Sequence, residues 1–332
     1  MHLLVTGGAG FIGSTFARQA VHSGHDVVVY DALTYAGDRR SLAEIEGRHV
    51  FVHADIGDAD AACAALEEHR IDAVVNFAAE SHNSLAVLDP GRFFRTNVMG
   101  TQTLLEAARR TGTPRFHHVS TCEVYGDLAL DSDERFTELS PYRPRTPYNA
   151  SKAGADHAAR AYQETYGLAV TITNCCNNYG PYQFPEKVIP LFITHALDDL
   201  PLPLYASTAN RREWVHVDDH CRAILAVLER GRVGETYHVG SGFEASIAEI
   251  ADGVLGALGK PASLKTIVPD RPGHDRRYLL DSTKITAELG WAPAVAFGEG
   301  LADTARWYTE HRDWWEPLRD RAPVAEALAW ER

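Results

Sequence analysis

Gly7, Gly10 and Gly13 form a GxxGxxG turn between the apolar run Leu3-Leu4-Val5 and a stretch that reads as a helix. A short, wholly apolar run of this kind is the pattern of a strand buried on both faces of a parallel sheet. Glycines at the turn let the backbone approach a diphosphate closely. The first turn of the following helix adds unpaired N–H donors and the positive end of its dipole. The next strand, VVVYD, ends on Asp31. A carboxylate there accepts both ribose hydroxyls of an adenosine and repels a ribose phosphate, which favours NAD over NADP. Arg39 and Arg40 lie nearby in sequence. Strand, glycine turn, helix, strand and acid, in that order, is the setting that a dinucleotide-binding unit requires.

The alternation continues. FVHADIGD and AVVNFAAESH read as a strand end and a further buried strand. Asp55 and Ile56 are expected against the adenine. Ala78 and Ala79 are small enough to let a cofactor lie over the strand end. Asn97 is expected to begin a helix whose apolar face carries Leu104 and Leu105, and RFHHVST supplies a strand ending at Ser120-Thr121. Strands alternating with helices imply an α/β fold with a doubly wound parallel (Rossmann) sheet. Ligands gather at the carboxyl ends of such strands, where Gly7, Asp31, Ala78 and Ser120 all fall.

Tyr148 and Lys152 stand four residues apart in PYNASKAGADHAARAYQETYG. On a helix they share a face. An ammonium beside a phenol favours the phenolate, so the tyrosine pKa is expected to fall and Tyr148 to become a usable base. Cys122 and Glu123 read as an acid/base pair in the same region.

At 332 residues the chain suits one large or two small domains. Residues 1–175 read as the dinucleotide-binding domain, with the chain crossing back around 210–240. Residues 176–332 read as mainly a smaller α/β substrate-binding lobe. A net charge of -13 argues against nucleic acid or an anionic membrane as main partners. The five cysteines are odd in number and fit neither a zinc site nor a disulfide framework, so a reducing cytoplasm is expected. Met1 runs straight into a strand, so no signal peptide is expected. No apolar run approaches the ~18 residues of a transmembrane helix. His82, His117 and His118 are the histidines near the expected chemistry, and no pair with a third ligand has metal spacing, so no metal is expected.

Taken together, TGGAGFIG, Asp31, DALTYAG, NFAAESH, STxEVYGDL, SPYxPxxPYxASKA, NNYGPYQFPEK and DRPGHDRRY resemble the extended short-chain dehydrogenases. They are most similar to nucleotide-sugar 4,6-dehydratases of the dTDP-glucose type, over residues 1 to about 310. The resemblance implies that Gly7, Gly10, Phe11, Ile12, Gly13, Asp31, Leu33, Thr34, Asp55, Ile56, Ala78, Ala79, Asn97, Ser120, Tyr148 and Lys152 hold NAD. It implies that Ser81, His82, Asn177, Glu186, Lys187, Arg212, Arg271 and His274 hold a nucleoside-diphosphate sugar, with Asp275 in the same loop. Tyr148, helped by Lys152 and Thr121, would take the proton from the hydroxyl on carbon 4 as hydride leaves that carbon. Glu123 would then remove the acidified proton on carbon 5, and water would leave from carbon 6. A homodimer through the helices starting near Asn97 and Tyr148, forming a four-helix interface, is also implied.

Three stretches depart from the family's pattern. The family has Thr-Asp-Glu where this chain has Thr121-Cys122-Glu123. Cys122 replaces the acid for carbon 6, or diverts the reaction to a 5,6-alkene, or leaves only oxidation and reduction at carbon 4, as in an epimerase. The usual SHVDRS is replaced by Ser81-His82-Asn83-Ser84-Leu85-Ala86. LPLYASTANRREW lacks the family's glycines after the tyrosine, beside the nucleotide, so a thymine base rests on the resemblance alone. A non-catalytic NAD-binding protein has little need of Tyr148, Lys152, Glu123 and Thr121 together. Trp291, Trp307, Trp314 and Trp315, near the carboxyl end, read as core or contact surface rather than a ligand cage.

Overall fold

The computed structural model describes residues 1–270 and 272–321. Seven strands make the main sheet: β1 (His2–Thr6), β2 (Asp26–Asp31), β3 (His49–His53), β4 (Ala73–Asn76), β5 (Arg115–Thr121), β6 (Ala169–Cys175) and, after three strands elsewhere, β10 (Thr236–Val239). Their spatial order is β10-β6-β5-β4-β1-β2-β3. Every pairing between neighbours in it is parallel. The order reverses direction between β1 and β4, the place where a doubly wound sheet opens a crevice.

Successive side chains of one strand point to opposite faces, so the apolar runs serve two cores. Leu3 and Val5 of β1 pack with Val27, Val29, Phe16 and Ala17 on one side. Leu4, between them in sequence, packs with Val28, Tyr30, Val74, Leu104 and Leu105 on the other. The first core holds α1 (Phe11–His22), and the second α2 (Ala59–Glu68) and α5 (Thr101–Thr111). Two short helices, α3 (Asn83–Leu88) and α4 (Pro90–Phe93), precede α5. The helix expected to begin at Asn97 in fact starts at Pro90, after an Asp89 cap and with proline in its first turn. It passes through a π-helical stretch, Phe94–Gly100, before α5, which places Asn97 mid-helix.

The expected long helix carrying Tyr148 is α6 (Pro147–Tyr166). Thr146 caps it by accepting from the Asn149 amide, Pro147 opens it, and Gly167 ends it in left-handed conformation (φ 70°). Beyond β6 lie β7 (Asn177–Tyr179), β8 (Leu202–Tyr205), β9 (Arg211–His216), β11 (Glu244–Ser246) and β12 (Lys265–Val268). They form a three-stranded sheet, β11-β9-β7, and a two-stranded one, β12-β8. Helices α7 (Val188–Leu197), α9 (Ile247–Leu258), α11 (Phe297–Glu310) and α12 (Arg312–Arg319) enclose a separate core with these strands. Trp314 and Trp315 are buried in it and Trp307 packs against it; Trp291 is buried in a smaller cluster by β10. Two helices between these elements, α8 (Val217–Arg230) and α10 (Thr283–Leu289), return to the main sheet: Val217, Cys221 and Ile224 join the core of α1, and Ile285 packs with Tyr237 and Val239 of β10.

Candidate active site

The carboxyl ends of β1, β2, β4, β5 and β6 open on one cleft of about 380 Å³. Its floor is the glycine turn. Gly7 has φ +64°, and a Cβ there would stand 2.8 Å from the Ala78 backbone. A Cβ on Gly13 would stand 2.2 Å from the Gly7 carbonyl oxygen. Only glycine lets strand, turn and α1 close this tightly. The amides of the first turn of α1 have no side-chain cap, and Gly10, Phe11 and Ile12 line the cleft beside them. A diphosphate fits such a floor, being small, anionic and rich in acceptors.

Asp31, at the end of β2, lines the wall. Its oxygens accept from the Ala9 amide at 2.9 Å and the Leu33 amide at 2.7 Å. Burial pushes the carboxyl up, and these two donors oppose that. Thr34, Asp55, Ile56, Ala78 and Ala79 line the same end. Leu33 reaches the site only through its amide; its side chain packs against the core of β1 and β2. Asn97 lies one layer back. Its side chain brackets the Glu80 backbone, accepting from the amide at 2.8 Å and donating to the carbonyl at 3.0 Å, and donates to Ser151 Oγ of α6 at 2.8 Å.

Ser120, Thr121, Glu123, Tyr148 and Lys152 line the middle of the cleft together. Thr121 ends β5 and caps the following 3-10 turn by accepting from the Glu123 amide at 3.2 Å. Its hydroxyl favours the Tyr148 phenolate, opposing the effect of burial. The far wall comes from the loop after β4 and from the segments of β7 and α7. Ser81, Asn177, Glu186 and Lys187 line it, and Lys187 Nζ donates to the Ser81 carbonyl at 2.8 Å. Glu186 is met by Lys187 at 3.3 Å, by His82 at 3.3 Å and by the Tyr35 hydroxyl at 2.9 Å. Tyr35, Cys175 and Cys176 also line the cleft. The sequence motifs give Cys175, Cys176 and Tyr35 no role, although DALTYAG contains Tyr35.

The family model described as GDP-mannose 4,6 dehydratase matches residues 4–304. A dTDP-glucose 4,6-dehydratase of Xanthomonas campestris pv. campestris (strain B100) is 50% identical over 337 residues, covering 96% of this chain and 95% of that protein. One from Mycobacterium tuberculosis (strain H37Rv) is 49% identical, covering 100% and 99%. DesIV, a dTDP-glucose 4,6-dehydratase from Streptomyces venezuelae solved with NAD and TYD bound, matches with a TM-score of 0.93 and 53% identity, covering 96% of this chain and all of that one. The chain belongs to the dTDP-glucose 4,6-dehydratase family.

Within that family's scaffold, four expectations meet a different local arrangement. The sequence predicts a lowered pKa for Tyr148. In this member of the dTDP-glucose 4,6-dehydratase family it is pushed well above the ordinary value, by burial first and by the charge of Glu123 next, with the Thr121 hydroxyl opposing. Lys152 points its ammonium at the Val119 carbonyl, 2.8 Å away, and at His118. Cys122 does not share the cleft with Glu123. It packs with Val124, Tyr125, Ala153, Cys176, Val215 and Tyr278, and burial holds its thiol protonated. Arg212 is 5% exposed and donates to the carbonyls of Asp275, Arg211 and Arg276, while its guanidinium lies over the Tyr278 ring at 4.6 Å. His274 stands near Ser207 Oγ (3.1 Å) and the Tyr205 ring, outside the cleft lining. Arg271 lies outside the described residues. Among the described residues, no group of three or more His, Cys, Asp or Glu could hold a metal ion, and no helix is long and apolar enough to cross a membrane.

Proposed function

We propose that this protein is an NAD-dependent lyase converting dTDP-glucose to its 4-keto-6-deoxy product. The observation that carries the reading is one cleft holding Thr121, Glu123, Tyr148 and Lys152 against a glycine floor shaped for a diphosphate. NAD, when bound, takes hydride from carbon 4 of the sugar and returns it at carbon 6. Gly7, Gly10 and Gly13 hold its diphosphate and Asp31 its adenosine ribose. Tyr148 takes the proton of the carbon 4 hydroxyl, and Thr121 stabilises the phenolate that does so. The carbon 4 ketone acidifies the proton on carbon 5, which Glu123 removes. Hydroxide is a poor leaving group, so it departs from carbon 6 only once carbon 5 is acidified, and together with the carbon 5 proton it makes up the water that is lost. Ser81, Asn177, Glu186 and Lys187 border the sugar and phosphates. Asn97 positions α6 from behind, and Arg212 shapes the loop bearing His274 and Asp275.

We read residues 1–175, with the crossing near 210–240, as the cofactor domain and residues 176–332 as mainly the sugar-nucleotide lobe. A cytoplasmic homodimer completes the proposal. Phe94, Met99 and Tyr166 are exposed on the helices bearing Asn97 and Tyr148, and large apolar groups there suit a four-helix interface.

Cys122 favours a second reading on the same scaffold: diversion after oxidation to a 5,6-alkene, or epimerisation. A buried neutral thiol supplies no charge to hold the carbon 6 hydroxyl. The test is incubation with dTDP-glucose and mass and NMR identification of the product. Loss of one water with a carbon 4 ketone and a carbon 6 methyl group supports the first reading; an alkene or a carbon 4 epimer supports the second. Tyr148→Phe is expected to abolish either nearly completely.

A further inference from the structure

Tyr148 and Lys152 begin a stripe that continues down one face of α6. Asp156 and Arg160 follow at the same four-residue spacing, so all four stand on one side of the helix. Asp156 is fully buried, as is His118 of β5, and Lys152 is 4% exposed. Two charged groups and an imidazole in such a place need partners.

The partners are present. His118 Nε2 stands 3.4 Å from Asp156 Oδ1 and 3.5 Å from Lys152 Nζ. The Asn76 amide donates to His118 Nδ1 at 3.2 Å, which leaves the proton of the neutral ring on Nε2, facing Asp156. The Asn76 amide is itself set by Thr6, whose hydroxyl donates to its oxygen at 2.6 Å. On the far side the Tyr142 hydroxyl donates to Asp156 Oδ2 at 2.7 Å, and Arg160 donates to Tyr142 at 2.9 Å. Asn174 of β6 adds a 3.4 Å contact. Ser120 and Tyr125 also face the carboxylate, and Cys175 faces Lys152. Burial by itself pushes the Asp156 carboxyl up, but His118 and the charge of Lys152 bring it below the ordinary range. Burial pushes Lys152 down, and Asp156 is the first group opposing that.

We propose that Asp156 is a positioning residue for the oxidation step: its carboxylate keeps the buried Lys152 an ammonium and seated on the Val119 carbonyl, one helical turn from Tyr148. The carboxylate never touches the sugar. It works through Lys152, because a cation one turn away (~6 Å along the axis) outweighs an anion two turns away (~12 Å) in its effect on Tyr148. Without the carboxylate, the desolvated lysine loses its proton and Tyr148 loses a cation one helical turn away that favours its phenolate. This rests on the dehydratase reading only for what Tyr148 does to substrate.

The test has a readout that needs no substrate. Ultraviolet difference titration of the holoenzyme isolates the tyrosinate signal that Tyr148→Phe removes. Asp156→Asn, which keeps the shape and an acceptor for Tyr142, is expected to move that midpoint up by about a pH unit or more. Tyr142→Phe, which leaves the carboxylate but strips one donor, is expected to move it the same way by less. A midpoint that is unchanged or lower in Asp156→Asn overturns the proposal. Where the wild-type signal of Tyr148 lies above the range reached before unfolding, the pH profile of kcat decides in its place. With dTDP-glucose, Asp156→Asn is expected to lower kcat at neutral pH about tenfold or more, with KM little changed and the loss recovered as pH rises. A pH-independent loss marks a merely structural residue and contradicts the proposal. A wild-type enzyme that turns over no dTDP-glucose counts against the function proposed above, while the titration still decides the role of Asp156.

Discussion

Thr121 and Glu123 are tied through one hydroxyl: Thr121 Oγ1 accepts from the Glu123 amide at 3.2 Å, and the same hydroxyl favours the phenolate of Tyr148. The group that steadies the proposed base is thus fixed by the backbone of the residue proposed to remove the carbon 5 proton. Thr121→Val keeps the shape and deletes that hydroxyl. Hydride transfer is expected to slow about tenfold or more, the cost of one charge-assisted hydrogen bond, and stability to fall by about 1 kcal/mol as the turn loses its cap. Thr121→Ser is expected to stay within a few-fold of wild type. Single-turnover absorbance of reduced NAD and thermal unfolding measure the two effects separately, and equal rates for valine and serine would sink the assignment.

Gly13→Ala tests the cofactor floor. The added methyl lands 2.2 Å from the Gly7 carbonyl oxygen, a backbone atom that cannot swing aside. Overpacking of this kind costs about 1–3 kcal/mol, and here the turn that opens is the one proposed to hold the diphosphate. The purified variant is expected to carry less NAD and to unfold at lower temperature. Full NAD content with unchanged unfolding would mean that the turn is looser than its geometry.

How far such features can be read from sequence depends on whether their cause is local. Gly7, Gly10 and Gly13, Asp31, and the pair Tyr148 and Lys152 are legible because turn, strand end and helix spacing are fixed within a few residues. The sheet and its direction follow from Leu3-Leu4-Val5 and its counterparts for the same reason. Asn97 reads as a helix start, wrongly, because the cap at Asp89 and Pro90 lies several residues earlier, and the π-helical stretch leaves no clear periodicity. The side on which Cys122 packs depends on Val215 and Tyr278, far along the chain, and the direction of Lys152 on His118 from another strand. Arg212 reads as a phosphate ligand by motif, and the motif does not show that three of its five donors go to the carbonyls of Arg211, Asp275 and Arg276.

Cys122→Asp restores the residue that the family resemblance expects, in a pocket that is now apolar. Burying a carboxyl among Val124, Ala153 and Val215 raises its pKa, which suits a proton donor and costs stability. The variant is expected to eliminate water from carbon 6 faster than wild type and to unfold at lower temperature. An unchanged product and rate would show that position 122 does not act on carbon 6.

Glu213 predicts a pH dependence unrelated to catalysis. It accepts from the amides of Gly242 (2.7 Å) and Leu280 (3.0 Å), fully buried between β9 and the loops it binds. Burial pushes its carboxyl up from 4.5 to about 7. The folded state therefore holds a proton that the unfolded chain releases, so stability contributed by this group is present below pH 4.5 and is lost as pH rises through about 7. Asp275, pushed up to about 7 by burial and by Glu123, acts in the same direction. Denaturant unfolding across that window is expected to show Glu213→Gln with a shallower decline than wild type, even if it is less stable throughout. A parallel decline would mean that Glu213 does not cause the pH dependence.

The central claim, oxidation at carbon 4 followed by elimination and return of the same hydride to carbon 6, is tested most directly by dTDP-glucose carrying deuterium on carbon 4. NMR of the product is predicted to find the deuterium on carbon 6, in the methyl group of a 4-keto sugar. Deuterium found back on carbon 4, with an alkene between carbons 5 and 6 or an inverted carbon 4, would contradict it.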